Sequence, residues 1–167
     1  LDAEPLFEGE RRKTIFRPVE AEALLMGYRI PAQDHPDMPA LTMLSWALFG
    51  LSSSRANESL VREKQVAVSV VADVEQGLFP GLFIIGVELR KGHPAEGVQA
   101  ELDALIQDAK TSPLAERELE RVKNRLAYEI LASSKSAPGI AALMAHGEYF
   151  YGDPRESFER LDALKAV

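Results

Sequence analysis

The chain contains no cysteine. Disulfides, thiolate metal centres and cysteine nucleophiles are therefore excluded. The redox compartment stays open, because a cysteine-free chain folds in either. No apolar run approaches the roughly 20 residues of a membrane-spanning helix. The stretch from Leu1 to Arg11 is acidic and has no apolar signal core. Positive charge is also short: Lys and Arg total 19 against 26 Asp and Glu, a net charge of −7. A nucleic-acid binder normally presents a basic face, and so does a binder of anionic membrane, so neither partner is expected. Histidine is rare, with three in the chain.

What is present suits one folded domain. The 167 residues are 46% apolar and 27% charged. That is enough apolar material to offset the chain entropy of folding, which excludes disorder for the chain as a whole. The chain lacks an initiator Met and stops at Val167 just after an amphipathic stretch. It reads as a piece of a longer protein. Residues 1–10 read as a linker, with Glu4-Pro5 and Glu8-Gly9-Glu10, and residues 11–167 as a single domain.

Residues Arg11 to Arg17 have a strand-like mix. Glu22 to Ile30 alternates better, with Leu24, Met26, Tyr28 and Ile30 on one face. A loop with three prolines follows, ending in a helix cap at Asp37. Ala40 to Phe49 is apolar on nearly every side and predicts a buried helix that Gly50 ends. The run Ser52-Ser53-Ser54 caps a second helix, Arg55 to Lys64. Val66, Val68, Val70, Ala72 and Val74 then share a strand face. After the turn at Gly77 to Gly81, Leu82 to Leu89 forms the second arm of an antiparallel hairpin, with Phe83, Ile85, Val87 and Leu89 inward.

Four helices open at Pro94, Pro113, Pro138 and Pro154. Their apolar stripes include Val98, Leu102 and Ile106; Leu119, Val122 and Leu126; Ile140 and Met144; and Phe158, Leu161 and Leu164. Strand pairs separated by helices, without strict alternation, predict an α+β fold: one mostly antiparallel sheet with helices on one face.

The chemistry is sparse. His35, His93 and His146 have no second histidine at helix spacing, so neither H-E-x-x-H nor H-x-x-E-H occurs. His146-Gly147-Glu148 comes nearest and reads as an ordinary helix histidine. Gly50-Leu51-Ser52-Ser53-Ser54 is not a G-x-S-x-G elbow, and no glycine-rich phosphate loop is present. Arg62 stands at the end of the second helix, just before the Val66 strand. It reads either as a surface ion pair with Glu58 or as a guanidinium aimed into a cleft, where it could hold a carbonyl or carboxylate.

Several segments, in order along nearly the whole chain, resemble one family. They are Gly9-Glu10-Arg11-Arg12, Leu24 to Ala32, His35-Pro36-Asp37, Gly50 with Ser53-Ser54-Arg55, Leu60-Val61-Arg62-Glu63-Lys64, Pro80-Gly81-Leu82-Phe83, and Glu118 to Asn124. Together they resemble the C-terminal domain of the pitrilysin/insulinase-type zinc peptidases, the group that includes mitochondrial processing peptidase. The resemblance implies a sheet-and-helix domain that walls a closed proteolytic chamber and binds no metal itself. Zinc is then expected in a missing N-terminal domain or in a partner chain. Partners implied are peptide substrates, that N-terminal domain, and a second half in a homo- or heterodimer. The setting leans toward the bacterial periplasm. Arg62 matches the family's substrate-holding arginine. The tyrosine that accompanies it is replaced here by Val68, which cannot donate a hydrogen bond to an intermediate. That substitution leaves open a second role, a non-catalytic scaffold or partner-binding subunit of the same family.

Overall fold

The computed structural model describes residues 9–75 and 77–159. Among the described residues three strands form one antiparallel sheet in the order β1-β3-β2: β1 Ala23–Ile30, β2 Ala67–Val74 and β3 Gly81–Leu89. The α-helices described in full are α1 Met38–Ser45, α2 Ala95–Thr111, α3 Glu116–Ser133 and α4 Ala137–Tyr151. Two π-helical segments, Trp46–Gly50 and Asn57–Glu63, continue α1 and lead into β2.

The alternation of apolar residues explains the layering. Phe83, Ile85, Val87 and Leu89 of β3 are buried, and opposite them stand Leu24, Met26 and Tyr28 of β1 and Val70, Ala72 and Val74 of β2. Facing residues of paired strands share a side of the sheet, so these make one continuous apolar face. Met38, Leu48, Phe49, Leu60, Val98 and Leu102 cover it from α1, the two π segments and α2. Phe49 meets Phe83 edge-on, with ring centroids 6.0 Å apart. A smaller cluster of Met43, Ala47, Val122 and Leu126 joins α1 and the first π segment to α3. The expected α+β architecture, an antiparallel sheet backed by helices, is therefore the one observed.

The strand expected over Arg11 to Arg17 does not form. That segment is irregular and exposed, with Ile15 64% and Phe16 90% accessible. Two apolar residues among four cations bury nothing that would offset the cost of ordering a strand. The segment is held instead by side chains such as Arg12, whose Nη2 donates to Gln99 Oε1 at 2.6 Å.

The face expected for β2 is also changed near its start. Ala67 pairs with Leu89, but Ser69 pairs with Glu88, so Val68 is an extra residue, a β-bulge. Ala67 is thereby turned inward, at 0% exposure, and Val68 outward, at 57%. Past the bulge the expected face returns at Val70, Ala72 and Val74.

The serine run does not cap the second helix through a side chain. The Ser54 carbonyl accepts from Glu58 N–H at 2.9 Å, while the buried Ser54 hydroxyl lies 3.1 Å from Asn57 Nδ2. The helices expected at Pro94, Pro113 and Pro138 form. Ser136 caps α4 by accepting from Gly139 N–H at 3.1 Å. Of the fourth, a helical turn at 156–159 is described, and Leu161 and Leu164 lie outside the described residues. The linker expected at 1–10 lies almost wholly outside them as well.

Candidate functional site

The three histidines do not converge on a metal. Among the described residues no group of three or more His, Asp or Glu could hold a metal ion. His35 Nδ1 accepts the Asp37 backbone N–H at 3.2 Å, an arrangement internal to the loop. His93 donates its backbone N–H to Arg90 O at 3.1 Å, just before α2. His146 Nδ1 lies 3.0 Å from the hydroxyl of Ser157, and its ring packs on Phe150 with centroids 4.6 Å apart.

Arg62 occupies the last turn of the second π segment, and its Nη1 lies 2.6 Å from Glu58 Oε1. Its side chain is 55% exposed. Backbone strain follows directly: Gln65, between Arg62 and β2, has φ +53°. A left-handed conformation at a residue with a Cβ costs on the order of 1 kcal/mol, and it swings the chain sharply from helix to strand. Val68 sits three residues on, at the bulge.

The side of the sheet opposite the helices carries the exposed part of the candidate site. Leu25 is 75% exposed, Val71 60% and Leu82 39%. Leu25 and Val71 converge across Gly86, to which both are register partners. A Cβ on Gly86 would stand 3.5 Å from Val71 Cγ2 and 3.9 Å from Leu25 Cδ1, so the two side chains close over it.

A groove of about 300 Å³ opens beside the same sheet, between α1 with the first π segment and the free edge of β2. Thr42, Ser45, Trp46 and Gly50 line one wall, and residues 71–74 the other. Gly50 is required here, since a Cβ would stand 2.8 Å from the Trp46 ring.

The hydrogen-bond phase of β2 decides which groups face the groove. Glu75 N–H donates to Leu82 O at 2.9 Å, so the main chain of residues 73 and 71 also turns toward β3. The N–H and C=O groups of Ala72 and Val74 then point to the free edge. Val70 O, in the same phase, is reached by Asn57 Nδ2 at 3.3 Å. The bulge and Asn57 thus close the first half of the edge, and among the described residues Ala72 to Val74 are left open. Sequence reasoning missed this groove. Its signal was Thr42 and Ser45, two hydroxyls three residues apart on an otherwise apolar helix.

A second groove, about 400 Å³ between α1 and the α2–α3 connection, is lined by Leu41, Leu44, Leu114 and Leu119 among others and offers little polar chemistry. Beside that connection, Arg55 bridges Asp108 Oδ2 at 2.9 Å and Glu118 Oε2 at 2.8 Å. The Arg55 hydrogen bonds, with help from the Ala115 N–H, hold the Glu118 carboxyl down to about 2. The Tyr28 hydroxyl is pushed above its ordinary value by burial and by the neighbouring Asp103 and Glu10 carboxylates.

These features define a class: a sheet-and-helix domain with two surface grooves and, among its described residues, no metal cluster. The chain belongs to the pitrilysin/insulinase-type peptidase M16 inactive domain family, whose model matches residues 2–126. A curated relative, the zinc protease PqqE of Helicobacter pylori, is 29% identical over 150 residues, covering 85% of this chain and 32% of that protein. A solved protease structure from Helicobacter pylori superposes with a TM-score of 0.82 at 24% identity, over 89% of this chain and 36% of that one. The inactive peptidase domain of a protein assigned as a zinc protease in Bordetella parapertussis gives a TM-score of 0.77 at 21% identity, over 91% and 81%. The chain thus spans about a third of the length of the two Helicobacter proteins. By that match it is of the inactive-domain type of this peptidase family, and its described residues gather no metal-holding cluster.

Proposed function

We propose that this chain walls the closed chamber of a zinc-dependent endopeptidase and touches the peptide there. The observation that carries the reading is the sheet face left uncovered by the described residues, where Leu25 and Val71 stand exposed over Gly86 instead of polar residues. Apolar side chains placed side by side on an otherwise finished sheet suit contact with another chain. A metal-bearing domain of a longer polypeptide, or a partner in a homo- or heterodimer, would hold the zinc. That half supplies a metal-activated water for peptide hydrolysis, and this one supplies surface. Arg62, exposed and tethered to Glu58, would hold a substrate carbonyl or carboxylate after exchanging that partner.

Val68 favours a second reading, a scaffold. Its side chain is exposed at the bulge and has no hydrogen to donate. The two readings separate on one test. The purified chain is loaded with zinc and assayed on a peptide library, then assayed again after assembly with the metal-bearing half. The chamber reading expects no stoichiometric zinc and no cleavage alone, and zinc-dependent cleavage once assembled. Cleavage by the chain alone would overturn both readings. A tight assembly without turnover would select the scaffold.

A further inference from the structure

We propose that the open stretch of the β2 edge, at Ala72 to Val74, binds an extended basic peptide by strand addition, with one of its side chains entering the groove at Ser45 and Trp46. The inference rests on the peptide-contact reading above and names the segment type and where it sits.

Three independent features meet there. The first is the main chain. Ala72 and Val74 present N–H and C=O groups at strand spacing to an open groove, and an extended backbone matches that spacing where a compact ligand does not. The second is Ser45. The residue lines the groove at 5% exposure, and its hydroxyl makes no side-chain hydrogen bond among the described residues. A ligand group that pairs with it takes the place of groove water. The third is charge. Asp73 lines the groove and Glu75 follows it, both exposed and neither paired among the described residues.

Strand alternation turns these features into a sequence preference. The peptide residue opposite Asp73 shares the outer side of the sheet with it, where an opposite charge across the pair is favourable. Lys or Arg fits there. The residues on either side of it, opposite Ala72 and Val74, point to the inner side. One of them enters the space bounded by Thr42, Ser45 and Trp46. A second copy of this chain is a poorer occupant, because antiparallel pairing of two β2 edges sets Asp73 and Glu75 near their own copies.

The test uses the full chain at about 0.15 M salt, so that long-range attraction to a net-negative protein is screened. The probe is a fluorescein-labelled alternating threonine–lysine dodecapeptide, compared with its threonine–glutamate counterpart and with a copy N-methylated at every second residue. Backbone amide exchange is followed by NMR. The expected result is binding of the lysine peptide alone, with new protection at Ala72 and Val74. Asp73→Lys should weaken it about tenfold, and Glu120→Gln on α3 should leave it unchanged.

Equal binding of the N-methylated peptide, indifference to Asp73→Lys, or protection elsewhere would overturn the proposal. So would protection of β2 that grows with protein concentration and no peptide, which marks self-pairing. The failure is separable from failure of the chamber reading, which is decided by zinc-dependent cleavage in the assembled peptidase.

Discussion

The Arg55 guanidinium grips both carboxylate oxygens of Glu118, Nε to Oε1 at 2.9 Å and Nη2 to Oε2 at 2.8 Å. The pair joins the turn just before the second π segment to the first turn of α3, and each side chain is only about one-fifth exposed. Glu118 also accepts the Ala115 N–H at 3.0 Å, satisfying a donor that the helix start would otherwise leave free. A bidentate, half-buried pair is geometrically specific, and removing one member strands the other. Arg55→Ala is expected to lower stability by about 2 kcal/mol, read from denaturant melts.

The same contact sets an acid limit. The folded carboxyl of Glu118 is depressed to about 2 by the Arg55 hydrogen bonds, whereas an unfolded Glu titrates near pH 4.3. A depressed folded value gives stability that is full above the unfolded value and is lost as pH falls toward the folded one. Stability should therefore decline from about pH 4.5 down to about 2, and Glu118→Gln should flatten that part of the curve. Equilibrium unfolding across that pH range, for wild type and variant, checks it.

From β1 onward the element order of this fold was legible because its signals are local, whereas the strand expected over Arg11 to Arg17 does not form. Val98 and Leu102, like Phe83, Ile85 and Val87, repeat with periods that only one secondary structure satisfies. The bulge at Val68 was not legible. Period-two reading assigned Val68 to the buried face, and the choice between Ala67 and Val68 was made by pairing with a strand some twenty residues away. Arg62 was legible as an i, i+4 ion pair with Glu58. The groove was not, because it exists only where α1 meets the edge of β2.

Gln65 gives a test of stored strain. Its φ of +53° suits glycine. Gln65→Gly should raise stability by up to about 1 kcal/mol, and Gln65→Val should lower it by more than that. Thermal melts of the two variants read the difference, and equal melts would mean that the turn carries no strain.

Gly147 holds α4 to the turn that follows it. A Cβ there would meet Asp153 O at 2.7 Å and Pro154 O at 2.8 Å, both backbone atoms that cannot swing aside. Gly147→Ala should cost about 1–3 kcal/mol, and amide exchange in α4 should accelerate together with that of the 153–157 turn.

Arg62 separates binding from folding. Its pair with Glu58 is exposed, so Arg62→Ala should change stability by less than about 0.5 kcal/mol. In the assembled peptidase the same variant should raise KM severalfold. An unchanged KM would remove Arg62 from the substrate surface.

The most direct measurement is photo-crosslinking in the assembled, zinc-loaded peptidase. A benzophenone amino acid replaces Val71 on the open sheet face or, as a control, Glu120 on α3. The account predicts that Val71 captures a peptide substrate and that Glu120 does not. Capture at Glu120, or none at Val71 during active cleavage, would contradict it.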